Sequence, residues 1–328
     1  NNSNYVTVNY YNKTLLHLPL EDILHPNIQK KFNLNSDNIL KIEKLKKNNV
    51  SKYNLSIYDL NKHIKYVLSH IDVGSKRFLT NKVDRSVSGL IVQQQCVGPF
   101  QIPLSNYCLT NLGYFNKYGM ASSVGERPYY GFYNSQAQAY LSVCEMITNM
   151  MGVYIGDIRN IKCSVNWMWP DKENNDGYKL YETANHLCDI MKKLNIGIDG
   201  GKDSLSMRVE ENNKIIKGPG NVVVTGYAPC ININKKVTPN FKQTNSKLVY
   251  IPFLYDYKNN SSLETTILYR QFNNFENLKI QNINIELLGK TFNIIQSCIF
   301  NELILSLHDV SDGGFITTII EMSISSNI

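Results

Sequence analysis

Residues 197–207 read GIDGGKDSLSM and bring Gly200, Gly201, Lys202, Asp203 and Ser204 into one short run. Glycines that free backbone amides, a lysine and a hydroxyl are the parts of a phosphate cradle. The spacing is not that of a Walker A loop. That motif has a glycine five positions before its Gly-Lys pair and Ser or Thr directly after the lysine. Here those positions hold Ile196 and Asp203. The same run also suits a glycine turn carrying a surface lysine. The motif alone leaves both readings open.

Four other places gather polar chemistry among apolar neighbours. Glu145 and Asn149 are four apart in LSVCEMITNM and share one face of a helix. A carboxylate among apolar residues needs a cation or water, so the pair is a metal face or a solvated one. HDVSDGG, residues 308–314, lies between the apolar runs LILSL and FITTIIEM. A strand-to-helix loop of this kind is an N-cap, or a place for phosphate and Mg²⁺. His308 there is expected to pack or hydrogen-bond. QQQCVGPFQIPLSN, residues 93–106, is the third, and SKRFLTNKVDRSVSG, residues 75–89, is the fourth. No Ser/His/Asp arrangement suggests a nucleophilic triad.

These groups need elements to position them. YVTVNYY, within residues 1–11, alternates as one strand with no preceding partner. Residues 18–70 read as a Lys- and Asn-rich linker with helical pieces. Ala139, Val143, Met146, Ile147 and Met150 recur at helical spacing, and YKLYETANHLCDIMKKLN is a second helix with Gly197 past its end. SLSMRV reads as a half-buried strand, EENNK as a turn and NVVVTGYA as another strand, so the glycine run joins strands. KLVYIPFL, from 247, starts a new buried strand. Strands alternating with helices give an α/β or α+β class.

The totals restrict the function. The 328 residues are 43% hydrophobic and 19% charged, ordinary for a globular chain of one large domain or more. The net charge of +7 is modest, and its lysines cluster near residues 30–52, away from the glycine run. They are not interleaved with aromatics, so no nucleic-acid partner is expected. No apolar run reaches a membrane span. Seven cysteines without a C-x-x-C pair are expected to be free thiols in a reducing compartment, with no structural zinc. Trp167 and Trp169 are expected as core and interface anchors.

SKRFLTNKVDRSVSGLIVQQQCVGPFQIPLSN, LSVCEMITNM, IKCSVNWMWP, GIDGGKDSLSM and LHDVSDGG occur in that order along nearly the whole chain. Together they resemble the large phosphoribosylformylglycinamidine synthases, and LPLEDIL (18–24) resembles the connector of that family. The resemblance implies an aminoimidazole-ribonucleotide-synthetase-like fold, one of two fused copies, incomplete at its C-terminus. Residues 1–10 would be the tail of a preceding domain and 11–59 a connector. Residues 60–236 would be an N-terminal α/β subdomain, and 247–328 the start of a C-terminal one. The first synthase half and the glutaminase domain of the same polypeptide are the implied partners.

The implied reaction is the ATP-dependent amidation of formylglycinamide ribonucleotide, with glutamine as amide donor, in a cytoplasmic ligase of purine biosynthesis. The implied Mg²⁺ ligands are Asn106, Glu145, Asn149 and Asp309. Lys76, Ser105 and Ser311 would meet ATP or ADP. Gly200, Gly201, Lys202, Asp203 and Ser204 would form the loop on the synthase core. Where the family has Leu-Ala-Asp, this chain has Leu104-Ser105-Asn106, which keeps an oxygen donor and removes a charge. The implied nucleotide is auxiliary, no catalytic residue is assigned, and the chain alone is expected to be inactive. A nonenzymatic nucleotide-binding or assembly module is the alternative.

Overall fold

A computed structural model describes residues 4–24, 31–34, 57–172, 174–253, 267–270 and 283–327. The lysine-rich stretch near 30–52 lies almost wholly outside them. The chain divides into two units, Asn1–Asn33 and Leu34–Ile328.

In the first unit, β1 (Tyr5–Tyr10) and β2 (Lys13–Pro19) form an antiparallel hairpin, and α1 (Leu20–Leu24) follows. Tyr11, at φ 50°, takes the left-handed conformation that reverses the chain. The strand read at the amino terminus therefore has its partner after it, in residues assigned to the connector.

The second unit carries a six-stranded sheet in the order β3–β4–β5–β10–β6–β7. Its strands are β3 (Ile91–Gln93), β4 (Cys108–Asn111), β5 (Gly119–Glu126), β6 (Lys162–Met168), β7 (Gly197–Ser204) and β10 (Asn221–Cys230). Neighbours are antiparallel except β6 and β7. A parallel pair needs a long crossover, supplied here by a helix, Asn174–Leu194.

Short helices α2 (Ile57–Ser69), α3 (Arg77–Thr80) and α4 (Pro128–Gly131) precede the long ones. The helix α5 (Ser135–Met150) lies on the sheet. Ala139, Val143, Met146, Ile147 and Met150, the positions read from helical spacing, are all fully buried. Its first turn is capped by Asn134, whose side chain accepts from the Ala137 amide at 2.9 Å. The crossover helix, α6, ends in Asn195 at φ 56°. The left-handed capping residue is thus this asparagine, and Gly197 already belongs to β7.

After α7 (Ile267–Arg270), the helix α8 (Ile285–Phe300) buries Leu288, Phe292, Ile295 and Ile299 in the same core as the sheet. Buried Gln296 fastens it. Its Oε1 accepts from the Ile155 and Gly156 amides at 2.6 and 3.1 Å, and its Nε2 donates to the Met151 and Val153 carbonyls. One amide so satisfies four backbone groups of the turn after α5. α9 (Gly314–Ile324) closes the described chain.

Several readings are corrected. GGKDS is not a loop: residues 197–204 form the edge strand β7. The reason is close approach to β6, because a Cβ on Gly201 would stand 2.2 Å from the Val165 carbonyl oxygen. Met207 lies outside any strand, and β8 (Arg208–Glu211) pairs with β9 (Lys214–Lys217) in a fully exposed hairpin rather than a half-buried strand. The turn was legible: Asn212 and Asn213 both have positive φ, as a two-residue hairpin turn requires. Residues 247–253 form no strand among the described residues, and Leu248, Val249 and Tyr250 are exposed. LILSL is likewise irregular. An apolar run becomes a strand only where it pairs with another, and neither run joins the described sheet.

Candidate nucleotide and metal site

The site forms where the end of β5, one face of α5 and two loops meet. Half-buried Glu145 projects from α5 toward the C-terminal end of β5. Its Oε2 accepts from the Glu126 amide at 2.8 Å, and its Oε1 lies 3.1 Å from Arg127 Nη2. The same guanidinium turns Nη1 to Asp312 Oδ2, at 2.7 Å, in the loop before α9. Arg127 is thus a half-buried cation held by two carboxylates from segments far apart in sequence.

Next to it, Asn106 Nδ2 donates to Asp309 Oδ1 at 3.0 Å. His308 Nδ1 lies 3.1 Å from the same carboxylate oxygen, and His308 Nε2 lies 3.2 Å from Glu321 Oε2 on α9. Thr318 Oγ1 donates to the Asp309 carbonyl, tying the loop to the first turns of α9.

The electrostatics follow from burial and these partners. Burial pushes the Glu145 carboxyl up to about 7, against the opposing pull of Arg127 and the Glu126 amide, with Asp309 and Asp312 adding repulsion. Burial works against a charged His308, yet Asp309 and Glu321 outweigh it and lift the imidazole to about 9. Burial likewise opposes ionisation of Asp309, but His308 and Arg127 hold it below the usual carboxylate range. Arg127 is desolvated too, and Asp312 and Glu145 keep it firmly charged.

The remaining expected residues are engaged locally. Asn149 shares the face of Glu145, and its Nδ2 donates to the Val124 carbonyl at 2.9 Å. Ser105 Oγ donates to the Tyr107 carbonyl at 2.6 Å. The Ser311 carbonyl accepts from the Gly314 amide. Lys76 Nζ donates to the Ile71 and Gly74 carbonyls in the turn before α3. Lys202 Nζ bonds Ser204 Oγ along β7. Glu145 is therefore paired with Arg127, and Asn106 with Asp309, while Lys76, Lys202 and Ser204 hold contacts of their own.

Magnesium takes hard oxygen donors, and Asn106, Glu145, Asn149 and Asp309 all offer them. The donor chemistry fits that ion. As arranged, however, Arg127 occupies the space between Glu145 and Asp312. Among the described residues no three His, Cys, Asp or Glu side chains are grouped to hold a metal. Sequence reasoning missed Arg127, Asp312 and Glu321. Arg127 follows an alternating strand directly, and only the fold reveals that it points inward.

Residues 75–229 match the family described as FGAR-AT PurM_N-like domain. Over 324 residues the chain is 41% identical to the phosphoribosylformylglycinamidine synthase of Dictyostelium discoideum, covering 96% of this chain and 24% of that protein. The chain belongs to the phosphoribosylformylglycinamidine synthase family. The synthase of Drosophila melanogaster is likewise 41% identical, over 81% of this chain and 20% of its own length. The chain therefore spans about a quarter or less of these relatives. T. maritima PurL complexed with FGAR superposes on 87% of the chain and 40% of its own, at a TM-score of 0.50 and 11% identity. The family region thus has the aminoimidazole-ribonucleotide-synthetase-like fold. No described helix is long and apolar enough to cross a membrane.

Proposed function

We propose that this chain is the nucleotide-holding part of an ATP-dependent ligase that amidates formylglycinamide ribonucleotide with glutamine nitrogen. Asn106, Glu145, Asn149 and Asp309 would hold Mg²⁺, and Lys76, Ser105 and Ser311 would face the nucleotide. The ion would neutralise phosphate charge; Arg127 and His308 balance the carboxylates in its absence. What supports the reading is the hydrogen bond from Asn106 to Asp309, beside half-buried Glu145. That bond joins two of the four implied ligands.

The nucleotide is auxiliary in this reading, and turnover needs a first synthase half and a glutaminase elsewhere in the polypeptide. The sheet face opposite α5 suits such a partner. Met120 and Val124 are exposed there, opposite Pro229 and Thr225 in register.

Calorimetric titration of the chain with Mg²⁺-ADP tests the site. Stoichiometric, Mg²⁺-dependent binding is expected, weakened at least about tenfold by Glu145→Gln. No binding by the native chain overturns the proposal. A second reading, a nonenzymatic module whose Arg127 stands permanently in place of the metal, is favoured by the Glu145–Arg127–Asp312 bridge. It expects nucleotide binding indifferent to Mg²⁺.

A further inference from the structure

A second polar concavity lies apart from the carboxylates. It measures about 420 Å³ and is walled by the loop after β3 and the segment after β10. Gln93, Gln94, Gln101, Lys236, Asn240 and Lys242 supply its polar lining, and no carboxylate lines it. Lys236 Nζ donates to Gln93 Oε1 at 3.3 Å. Lys242 Nζ donates to Thr238 Oγ1 at 2.8 Å and Asn240 Oδ1 at 2.6 Å. Each ammonium has three N–H donors, so both keep donors beyond these contacts. Neither lysine pairs with a carboxylate among the described residues.

The walls are fixed before any ligand arrives. Tyr107 OH donates to the Val237 carbonyl at 2.9 Å, Ser306 Oγ to the Asn240 carbonyl at 2.7 Å, and the Phe241 amide to Ser326 Oγ at 2.6 Å. On the facing loop, Gly98 has φ 69°, and a Cβ there would stand 1.7 Å from the Ser325 carbonyl oxygen. Gln94 Nε2 donates to Gln101 Oε1 at 2.7 Å and orders the rim. Such preorganisation lowers the entropic cost of binding.

We propose that this cavity binds a dianionic phosphate monoester, clamped between Lys236 and Lys242. Two ammonium groups match two phosphate charges, and lysine is a common point-charge partner for phosphate. The volume lies within the range of small-ligand pockets and exceeds what a lone carboxylate needs. Burial, and for Lys242 also the charge of Lys236, disfavours the protonated amines, and a bound dianion relieves that strain. The inference does not rest on the metal-nucleotide reading, since none of Asn106, Glu145 or Asp309 lines the cavity.

The test is calorimetric titration of the whole chain, free of divalent metal, with ribose 5-phosphate, inorganic phosphate, ribose and ADP. Ribose 5-phosphate and phosphate are expected to bind, ribose not. Lys242→Gln and Lys236→Gln should each weaken ribose 5-phosphate at least about tenfold, and Lys242→Arg should retain most of the affinity. Glu145→Gln should leave ribose 5-phosphate binding unchanged while weakening Mg²⁺-ADP, which separates this proposal from the previous one. Unchanged affinity in both lysine variants, equal binding of ribose, or binding of ADP without ribose 5-phosphate overturns it.

Discussion

Asn106 and Asp309 lie 203 residues apart in sequence, yet the amide nitrogen of one donates to the carboxylate of the other at 3.0 Å. An aspartate at 106 could not make that bond. Asn106→Asp should therefore destabilise the metal-free chain by about 1–3 kcal/mol, through a lost donor and two facing carboxylates. With Mg²⁺ present the loss should shrink, and Mg²⁺-ADP should bind more tightly than to the native chain. Thermal melts with and without MgCl₂, paired with titration, measure both. An equal loss in the two melts counts against metal at this position.

Arg127 compensates two carboxylates at once. Arg127→Gln leaves Glu145 and Asp312 without their shared cation and should cost about 3–5 kcal/mol. Urea denaturation reads that loss. Rescue by millimolar Mg²⁺ would place the ion where the guanidinium was.

His308 gives the fold a pH dependence of definite sign. Its folded value of about 9 exceeds the ordinary 6.5. Its stabilisation is fully present below about pH 6.5 and is lost as pH rises through 9. The size is on the order of 3 kcal/mol, since one unit is worth about 1.4 kcal/mol. Glu145 acts in the same sense over a lower window, because its raised value costs stability as pH climbs from 4.5 toward about 7. The thermal midpoint should therefore fall between pH 6.5 and 9, and His308→Gln should flatten the fall.

The glycine run makes a prediction about packing. Gly201→Val forces a side chain against the backbone of β6 and should destabilise by about 1–3 kcal/mol. Lys202→Ala, on the exposed side, should stay within about 0.5 kcal/mol and leave Mg²⁺-ADP affinity unchanged. A large loss of affinity in Lys202→Ala would restore the phosphate role that the strand geometry argues against.

Helix α5 was legible because five apolar positions recur with the helical period, and that period survives any tertiary context. The hairpin turn at Asn212–Asn213 was legible because few residues accept positive φ in succession. β7 was not. Glycine, aspartate and lysine are poor strand formers, and only the parallel pairing with β6 makes a strand of them. KLVYIPFL failed in the opposite way, since strand propensity without a pairing partner yields exposed chain. Asn106, Glu145 and Asp309 were named from resemblance to a family. The Asn106–Asp309 pair and the Glu145–Arg127 bridge depend on contacts between residues up to 203 positions apart, which no local pattern encodes.

Gln296 offers a reporter of how the second unit comes apart. The Ile155 amide has its acceptor on a side chain of α8, not in a helix or sheet ladder. Its exchange with deuterated solvent therefore requires α8 to lift away, whatever happens at the neighbouring strands. If Ile155 exchanges as slowly as the β5–β10 amides, α8 and the sheet open as one cooperative block. If it exchanges faster, the segment from 283 onward opens first, and the loop bearing His308 and Asp309 opens with it, so that ligand capture would be limited by the docking of one helix.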